Sequence, residues 1–171
     1  MEDSLEIRQM KNSDTQVIAN TLELYYMGKS ENYIARCFEE NQAGARLTLI
    51  ASCNGKFAGW LHLLTTSSYP FFADMKIPEI NNFEVIPPLR RRGIGNALME
   101  AVEQKAKETH GKVGIGVGLI MSYGSAQRMY ARRGYIPDGK GIMYDNQPVE
   151  PGQTVQADHN LALFWVKQLL K

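Results

Sequence analysis

The sequence predicts an α+β fold, a central sheet with helices packed on its faces, and three observations carry the prediction. The elements read in the order β, αα, βββ, α, β, α, ββ along the 171 residues. Two alternating runs, ARLTLIAS and KFAGWLHLL, are joined by Asn54-Gly55, the strongest short hairpin signal in the chain. A proline-stopped apolar run then feeds straight into a helical pattern and on to another strand, as a crossover connection does.

Taken in order, residues 5–10 (LEIRQM) alternate and read as a first strand. Ser13 and Gln16 stand at capping-box spacing, and Val17, Ile18, Leu22 and Tyr25 recur at helical intervals until Gly28. Ser30 starts a second helix with Ile34, Cys37 and Phe38 on its apolar face, ending near Gly44. After the hairpin, residues 65–78 are polar and proline-punctuated, and read as a loop despite Tyr69, Phe71 and Phe72. Residues 79–86 return to strand and stop at Pro87-Pro88. From Gly93 to about Thr109, one stripe gathers Ile94, Ala97, Leu98, Ala101 and Val102, and Gly111 suits the end of that helix.

Residues 112–121 alternate Val113, Ile115, Val117 and Leu119 with Gly114, Gly116 and Gly118, a strand whose glycine face another backbone or a ligand approaches closely. Ala126, Met129 and Tyr130 form one face of a short helix ending at Gly134. GYIP opens a further strand, residues 137–158 read as a loop, and residues 159–169 as the last strand. There is no repeat, low-complexity tract or linker, so residues 1–171 are expected to form a single domain.

A formal net charge of +1 argues against the broad basic face a nucleic-acid binder needs. Cys37 and Cys53 have no metal or disulfide spacing and read as a buried, reduced pair. His62, His110 and His159 share no metal spacing either, and each reads as an ordinary strand or helix-end histidine. The N-terminal MEDSLEIRQ lacks a secretory pattern and LALFWV is too short to span a bilayer. The expectation is a cytoplasmic protein, monomeric or homodimeric, with neither nucleic acid nor membrane as partner.

Against that balance, VIPPLRRRGIGNALMEAVE sets three adjacent arginines and two glycines between a strand and a helix. The first N–H groups of a helix have no intrahelical partner, and with the macrodipole they make an anion site. Gly93 and Gly95 let backbone approach a phosphate, and Arg90, Arg91 and Arg92 add charge around it. On these residues alone, a solvated charge run with a glycine turn remains an equal reading. A Walker A loop is excluded because no GK[ST] follows, and the dinucleotide fingerprint fails at Leu98.

FEVIPPLRRRGIGNALM resembles motif A of the GNAT superfamily of N-acetyltransferases: strand, V-x-P, then R/Q-x-x-G-x-G/A opening a helix. AQRMYARRGY, about 30 residues on, resembles motif B, with Met129 in place of leucine. The stretch YGSAQRMYARRGYIPDG is similar to that of a bacterial subgroup of small GNAT proteins. The resemblance implies a GNAT fold over nearly the whole chain: a mixed, mostly antiparallel sheet of about seven strands flanked by about four helices.

It also implies acetyl-CoA as cosubstrate, without a metal. The diphosphate would lie on the amides of about Arg91, Arg92, Gly93, Ile94, Gly95 and Asn96. The arginines, Arg90 included, would face its phosphates. The pantetheine arm would pair with the backbone around Phe83, Glu84 and Val85, beside a glycine strand splayed away to open a slot. Ser125 or a backbone group takes the contact of the motif B asparagine, whose position here is Tyr123.

The implied reaction is direct attack of a primary amine on the thioester in a ternary complex. An amine with a pKa of about 10.4 needs a base at neutral pH. Glu79 and Glu84 are the candidates, on opposite sheet faces by alternation, with Glu84 preferred for its closeness to the thioester. A free backbone N–H near Val85 would serve the oxyanion. Tyr130 matches the motif B tyrosine and is the expected acid for the departing thiolate.

The acceptor site would draw on residues 13–44, 65–78 and 137–158. There Tyr69, Phe71 and Phe72 would form an apolar wall or lid, and Asp138, Asp145 and Asp158 would receive a cationic amine. A small-molecule amine or amino acid is the first expectation and a protein N-terminus or lysine the second. A non-catalytic acyl-CoA-binding or sensing module is the alternative of another class.

Overall fold

Alternation, helical stripes and turn chemistry place eight strands and five α-helices in the computed structural model, which describes residues 4–169. Met1–Asp3 of the N-terminal stretch therefore lie outside the described residues. In chain order the elements are β1 (Leu5–Gln9), α1 (Thr15–Leu24), α2 (Glu31–Gln42), β2 (Arg46–Cys53), β3 (Lys56–Leu64), α3 (Pro70–Asp74), β4 (Glu79–Val85), α4 (Ile94–Thr109), β5 (Lys112–Gly118), α5 (Gly124–Arg132), β6 (Ile136–Tyr144), β7 (Gln147–Pro148) and β8 (Leu161–Gln168). The chain divides into two compact units. One runs to Thr65 and resumes over Asn81–Lys105; the other comprises Thr66–Ile80 and the chain from Ala106 onward.

In the first unit the strand order is β1-β2-β3-β4. β2 and β3 pair antiparallel, with Leu49 opposite Leu61 and Thr48 opposite His62. Asn54 and Gly55 both take positive φ, +51° and +75°, the geometry of a two-residue hairpin turn that Asn-Gly favours. Ile18 and Leu22 of α1 and Ile34 and Cys37 of α2 bury their apolar stripes against Ile50, Phe57 and Trp60. Ser30 caps α2 as expected, its Oγ accepting from Tyr33 N–H at 3.2 Å. Ser13 does not cap α1. Asp14 stands at the N-cap of α1 without a side-chain cap bond; its carboxylate closes the preceding 3₁₀ turn, accepting from Lys11 N–H at 2.7 Å and from both terminal nitrogens of Arg8 at 2.8 Å.

In the second unit the order is β4-β5-β8-β6-β7. Glu79 and Ile80 of β4 run parallel to β5 at Gly114 and Ile115, and β5 pairs antiparallel with β8. The region expected to be one loop after Pro137 instead continues as β6 and turns into β7. Its register breaks between Pro137 and Ile142, where Gly139 and Gly141 take positive φ. That irregularity hid the strand from its sequence pattern. β7 is the eighth strand, and α3 is the fifth helix.

The glycine face of β5 receives aromatic rings rather than backbone. A Cβ at Gly114 would meet Phe72 at 2.1 Å, one at Gly116 would meet Phe164 at 2.9 Å, and one at Gly118 would meet Tyr123 at 2.4 Å. Tyr69 stacks on Phe164 with centroids 3.9 Å apart, and its hydroxyl donates to Asp138 Oδ2 at 2.9 Å. Tyr69 and Phe72 are thus core residues, not a lid; Phe71 beside them is half-buried.

Cys37 and Cys53 are buried free thiols. Among the described residues, no helix is long and apolar enough to cross a membrane.

Gly114→Ala should lower stability by about 1–3 kcal/mol, because the fully buried Phe72 ring has no room to withdraw; the urea midpoint measures it. The Arg8 guanidinium holds Asp14 below the usual carboxylate range, chiefly through their hydrogen bond. A lowered folded pKa stabilises above the unfolded value and is lost as pH falls through the folded one. Asp14→Asn should therefore cost about 1 kcal/mol at pH 7, and the deficit should shrink as the pH drops below about 4.

Candidate active site

β4 leaves the sheet by a fixed parity. Ile86 N–H donates to Ala58 O of β3 at 2.9 Å, so by alternation Phe83 and Val85 turn their amides and carbonyls away from β3. The chain then makes a short 3₁₀ turn, Pro87–Leu89, and enters α4. Arg91 and Gly93 both take positive φ, +62° and +82°. No atom lies within 4 Å of a Cβ placed on Gly93, so this glycine serves the backbone conformation and not a tight contact.

The first bond of α4 runs from Ala97 N–H to Gly93 O at 3.0 Å, so the amides of Ile94, Gly95 and Asn96 precede the helical ladder. Arg90, Arg91, Arg92, Gly93 and Asn96 are exposed around them. Gly95 has a packing task beside the one its spacing suggests. A Cβ there would stand 3.0 Å from the Phe83 ring, which packs on the helix start. Arg90 is also partly structural, since its Nε donates to Val85 O at 2.9 Å.

Glu84 sits half-buried in β4, and the fully buried Trp60 donates its indole N–H to Oε2 at 2.8 Å. Lys29, in the turn between α1 and α2, brings Nζ to 3.9 Å from Oε1 and lies 5.5 Å from the Tyr33 ring centroid. Burial pushes the Tyr33 hydroxyl up to about 12, so this aromatic wall stays neutral. β4 lies very close to β3 here: a Cβ on Gly59 would meet Glu84 O at 2.6 Å.

The other candidate residues belong to the second unit. Glu79 is buried and accepts from Ser67 Oγ, which in turn accepts from Tyr69 N–H at 2.9 Å. Tyr130, buried in α5, lies 5.9 Å centroid to centroid from Tyr135. Burial drives its pKa upward and Tyr123 adds to that, so the phenol is neutral throughout the physiological range. Ser125 is exposed in the first turn of α5. Tyr123 packs its ring on Gly118 and holds His159 Nδ1 at 2.9 Å.

Residues 6–135 match the profile of the Acetyltransferase (GNAT) family. The chain belongs to the GNAT acetyltransferase family. No protein of curated function matches it in sequence. Its fold is similar to that of an N-acetyltransferase from Staphylococcus aureus Mu50, with a TM-score of 0.73 and 16% identity over 98% of this chain and 99% of that one. It is also similar to the ribosomal-protein-S18-alanine N-acetyltransferase from Escherichia coli, with a TM-score of 0.69 and 17% identity over 97% and 94%. The Salmonella typhimurium protein yncA, solved with its cofactor acetyl-CoA, gives a TM-score of 0.68 and 17% identity over 98% and 95%.

GNAT enzymes are acetyl-CoA-dependent transferases, and this chain's residues fit the phosphate end of that cosubstrate. Amides that precede a helical ladder, two left-handed residues and exposed arginines occur together in this turn, the elements from which backbone anion sites are built. Among the described residues, no group of three or more His, Cys, Asp or Glu is placed to hold a metal ion.

Two residues beside this edge of β4 are not among the candidates the sequence offers, and His62 reads there as an ordinary strand histidine. Asn82, inside β4, has φ +46°, and its Nδ2 lies 3.1 Å from Nε2 of the fully buried His62. Paired asparagines within a strand pattern were the available signal, since Asn tolerates left-handed backbone better than most residues.

Gly59→Ala should force β4 away from β3 at Glu84. Initial rates at varied acetyl-CoA should show kcat/KM reduced about 100-fold, the scale of an ångström-level misplacement.

Proposed function

We propose that this protein transfers the acetyl group of acetyl-CoA to a primary amine by direct attack in a ternary complex, with a small-molecule amine or amino acid as acceptor. Family membership supplies the cosubstrate. The observation that carries the acceptor side is Glu84, a half-buried carboxylate anchored by Trp60 on one oxygen with an ammonium group, Lys29, 3.9 Å from the other. A carboxylate held in this way orients an incoming ammonium and accepts its proton.

On this reading the amides from Arg91 to Asn96, with Arg90, Arg91 and Arg92, bind the phosphates. The edge of β4 at Phe83 and Val85 aligns the pantetheine arm, and the backbone N–H near Val85 faces the acyl oxygen. Arg90, bonded to Val85 O, ties the phosphate turn to that edge. Tyr130 keeps its proton and offers it to the departing sulfur. Ser125, exposed at the start of α5, adds a polar contact for the cosubstrate. Glu79 is the weaker base candidate, because Ser67 already occupies its carboxylate.

The test is free-thiol release from acetyl-CoA across a panel of amines, amino acids and peptides with free N-termini. The proposal expects turnover with a small amine. Glu84→Gln should then lower kcat/KM by about 10²–10⁴-fold, Tyr130→Phe by at least about tenfold, and Glu79→Gln by much less. Thiol release only with peptides would move the acceptor to a protein N-terminus, a protein acceptor being what the name of the Escherichia coli ribosomal-protein-S18-alanine N-acetyltransferase states for that relative. Coenzyme A binding with no thiol release on any acceptor would identify a sensing module instead.

A further inference from the structure

A left-handed residue in the middle of a strand needs an explanation outside the strand, because the conformation is unfavourable for any side chain and persists only where its surroundings over-determine it. At Asn82 of β4 the surroundings are a chain of polar links through the first unit. On α2, Asn41 Nδ2 donates to Cys37 O at 2.6 Å and to Thr48 Oγ1 at 2.8 Å, while Thr48 N–H of β2 donates back to Asn41 Oδ1 at 2.7 Å. Thr48 Oγ1 meets His62 Nδ1 of β3 at 2.8 Å, and His62 Nε2 meets Asn82 Nδ2 at 3.1 Å.

The direction of these bonds follows from the donors. An amide nitrogen only donates, so Nε2 accepts from Asn82, which leaves the ring proton on Nδ1, donated to Thr48. An imidazolium has no acceptor and breaks the last link. Burial holds His62 well below the ordinary histidine range, helped by the positive charges of Arg46 and Lys29. The ring is fully buried and stays neutral.

We propose that His62 is a positioning residue: by accepting from Asn82 it fixes the left-handed residue of β4 and so sets the direction in which Phe83 and Val85 present their backbone groups. The consequence for catalysis rests on the reading above that this edge of β4 receives the cosubstrate; the consequence for the strand does not.

Two substitutions separate the two ring nitrogens. In His62→Gln the amide oxygen stands near the place of Nε2 and still accepts from Asn82. In His62→Asn it stands near Nδ1 and reaches Thr48 only. Backbone carbon shifts and the three-bond amide coupling of Asn82, measured by NMR on the full chain, report whether φ is positive. The expected result is a left-handed Asn82 in the wild type and in His62→Gln, lost in His62→Asn. A left-handed Asn82 in His62→Asn, or its loss in both variants, overturns the proposal.

Should His62→Asn fail to fold, the imidazole nitrogen shifts of the wild type decide. Protonated Nδ1 with an accepting Nε2 is required, and the opposite tautomer overturns it. Coenzyme A affinity by calorimetry is the second readout. His62→Asn should bind at least about tenfold more weakly and His62→Gln within about threefold of wild type, both measured well below their melting temperatures. Equal affinities in all three proteins overturn the link to the cosubstrate. Absence of binding by the wild type instead refutes the proposed function, and the Asn82 measurements still decide the role of His62.

Discussion

A strand proposed to present one edge of its backbone to a substrate must be held by the other, and β4 meets β3 at four points between Ala58 and His62. Ile86 bonds Ala58, Glu84 O closes on Gly59, the Glu84 carboxylate takes the Trp60 indole N–H, and Asn82 takes His62. Each contact has a different physical character: a ladder bond, a missing side chain, a charge-assisted hydrogen bond and a neutral buried one. Changes at Gly59, Trp60 or His62 therefore bear on the position of β4 as well as on stability, since a packed interior transmits a shift.

The arginine cluster fits the same scheme. Three adjacent cations in a chain of net charge +1 repel one another, and the backbone does not run straight through them. Arg90 turns back to Val85 O, and Arg91 takes a left-handed backbone that reverses the local course of the chain before Gly93 does so again. Alternating backbone handedness of this kind points successive amides toward one centre, which is how short turns bind phosphate. The charge is local because the ligand it suits is local.

Much of this was legible in the sequence, and the limits are physical. The hairpin at Asn54-Gly55, the Ser30 cap and the α4 stripe declare themselves through short-range chemistry that the fold leaves intact. The strand–proline–arginine–glycine order likewise marks the turn between β4 and α4. What could not be read was anything set by a distant partner. Gly95 reads as ligand clearance, and the structure shows that it also makes room for Phe83; the glycine face of β5 reads as one that another backbone or a ligand approaches, and it meets Phe72, Phe164 and Tyr123. The continuation of β6 beyond its GYIP start is hidden because two glycines break its alternation, and the setting of His62 is hidden because its partners Thr48, Asn82 and Cys37 come from three other elements.

The proposed proton itinerary explains why one of its groups is half-exposed and the other buried. Acetylation of an ammonium by a thioester yields an amide, a thiol and one proton released to water. The group that takes protons from the acceptor must hand one on, so a carboxylate with solvent access, as Glu84 has, suits that end. The group facing sulfur has the opposite requirement. Burial disfavours the phenolate of Tyr130 so strongly that surrendering its proton outright to a thiolate, of pKa about 8.5, would run uphill. A phenol in that setting stabilises the departing sulfur best as a hydrogen-bond donor that keeps its proton, and the thiolate is protonated afterwards from solvent. Removing the hydroxyl then weakens stabilisation of charge on sulfur without introducing a new ionisation into the pH–rate profile, which distinguishes a donor from a titrating acid.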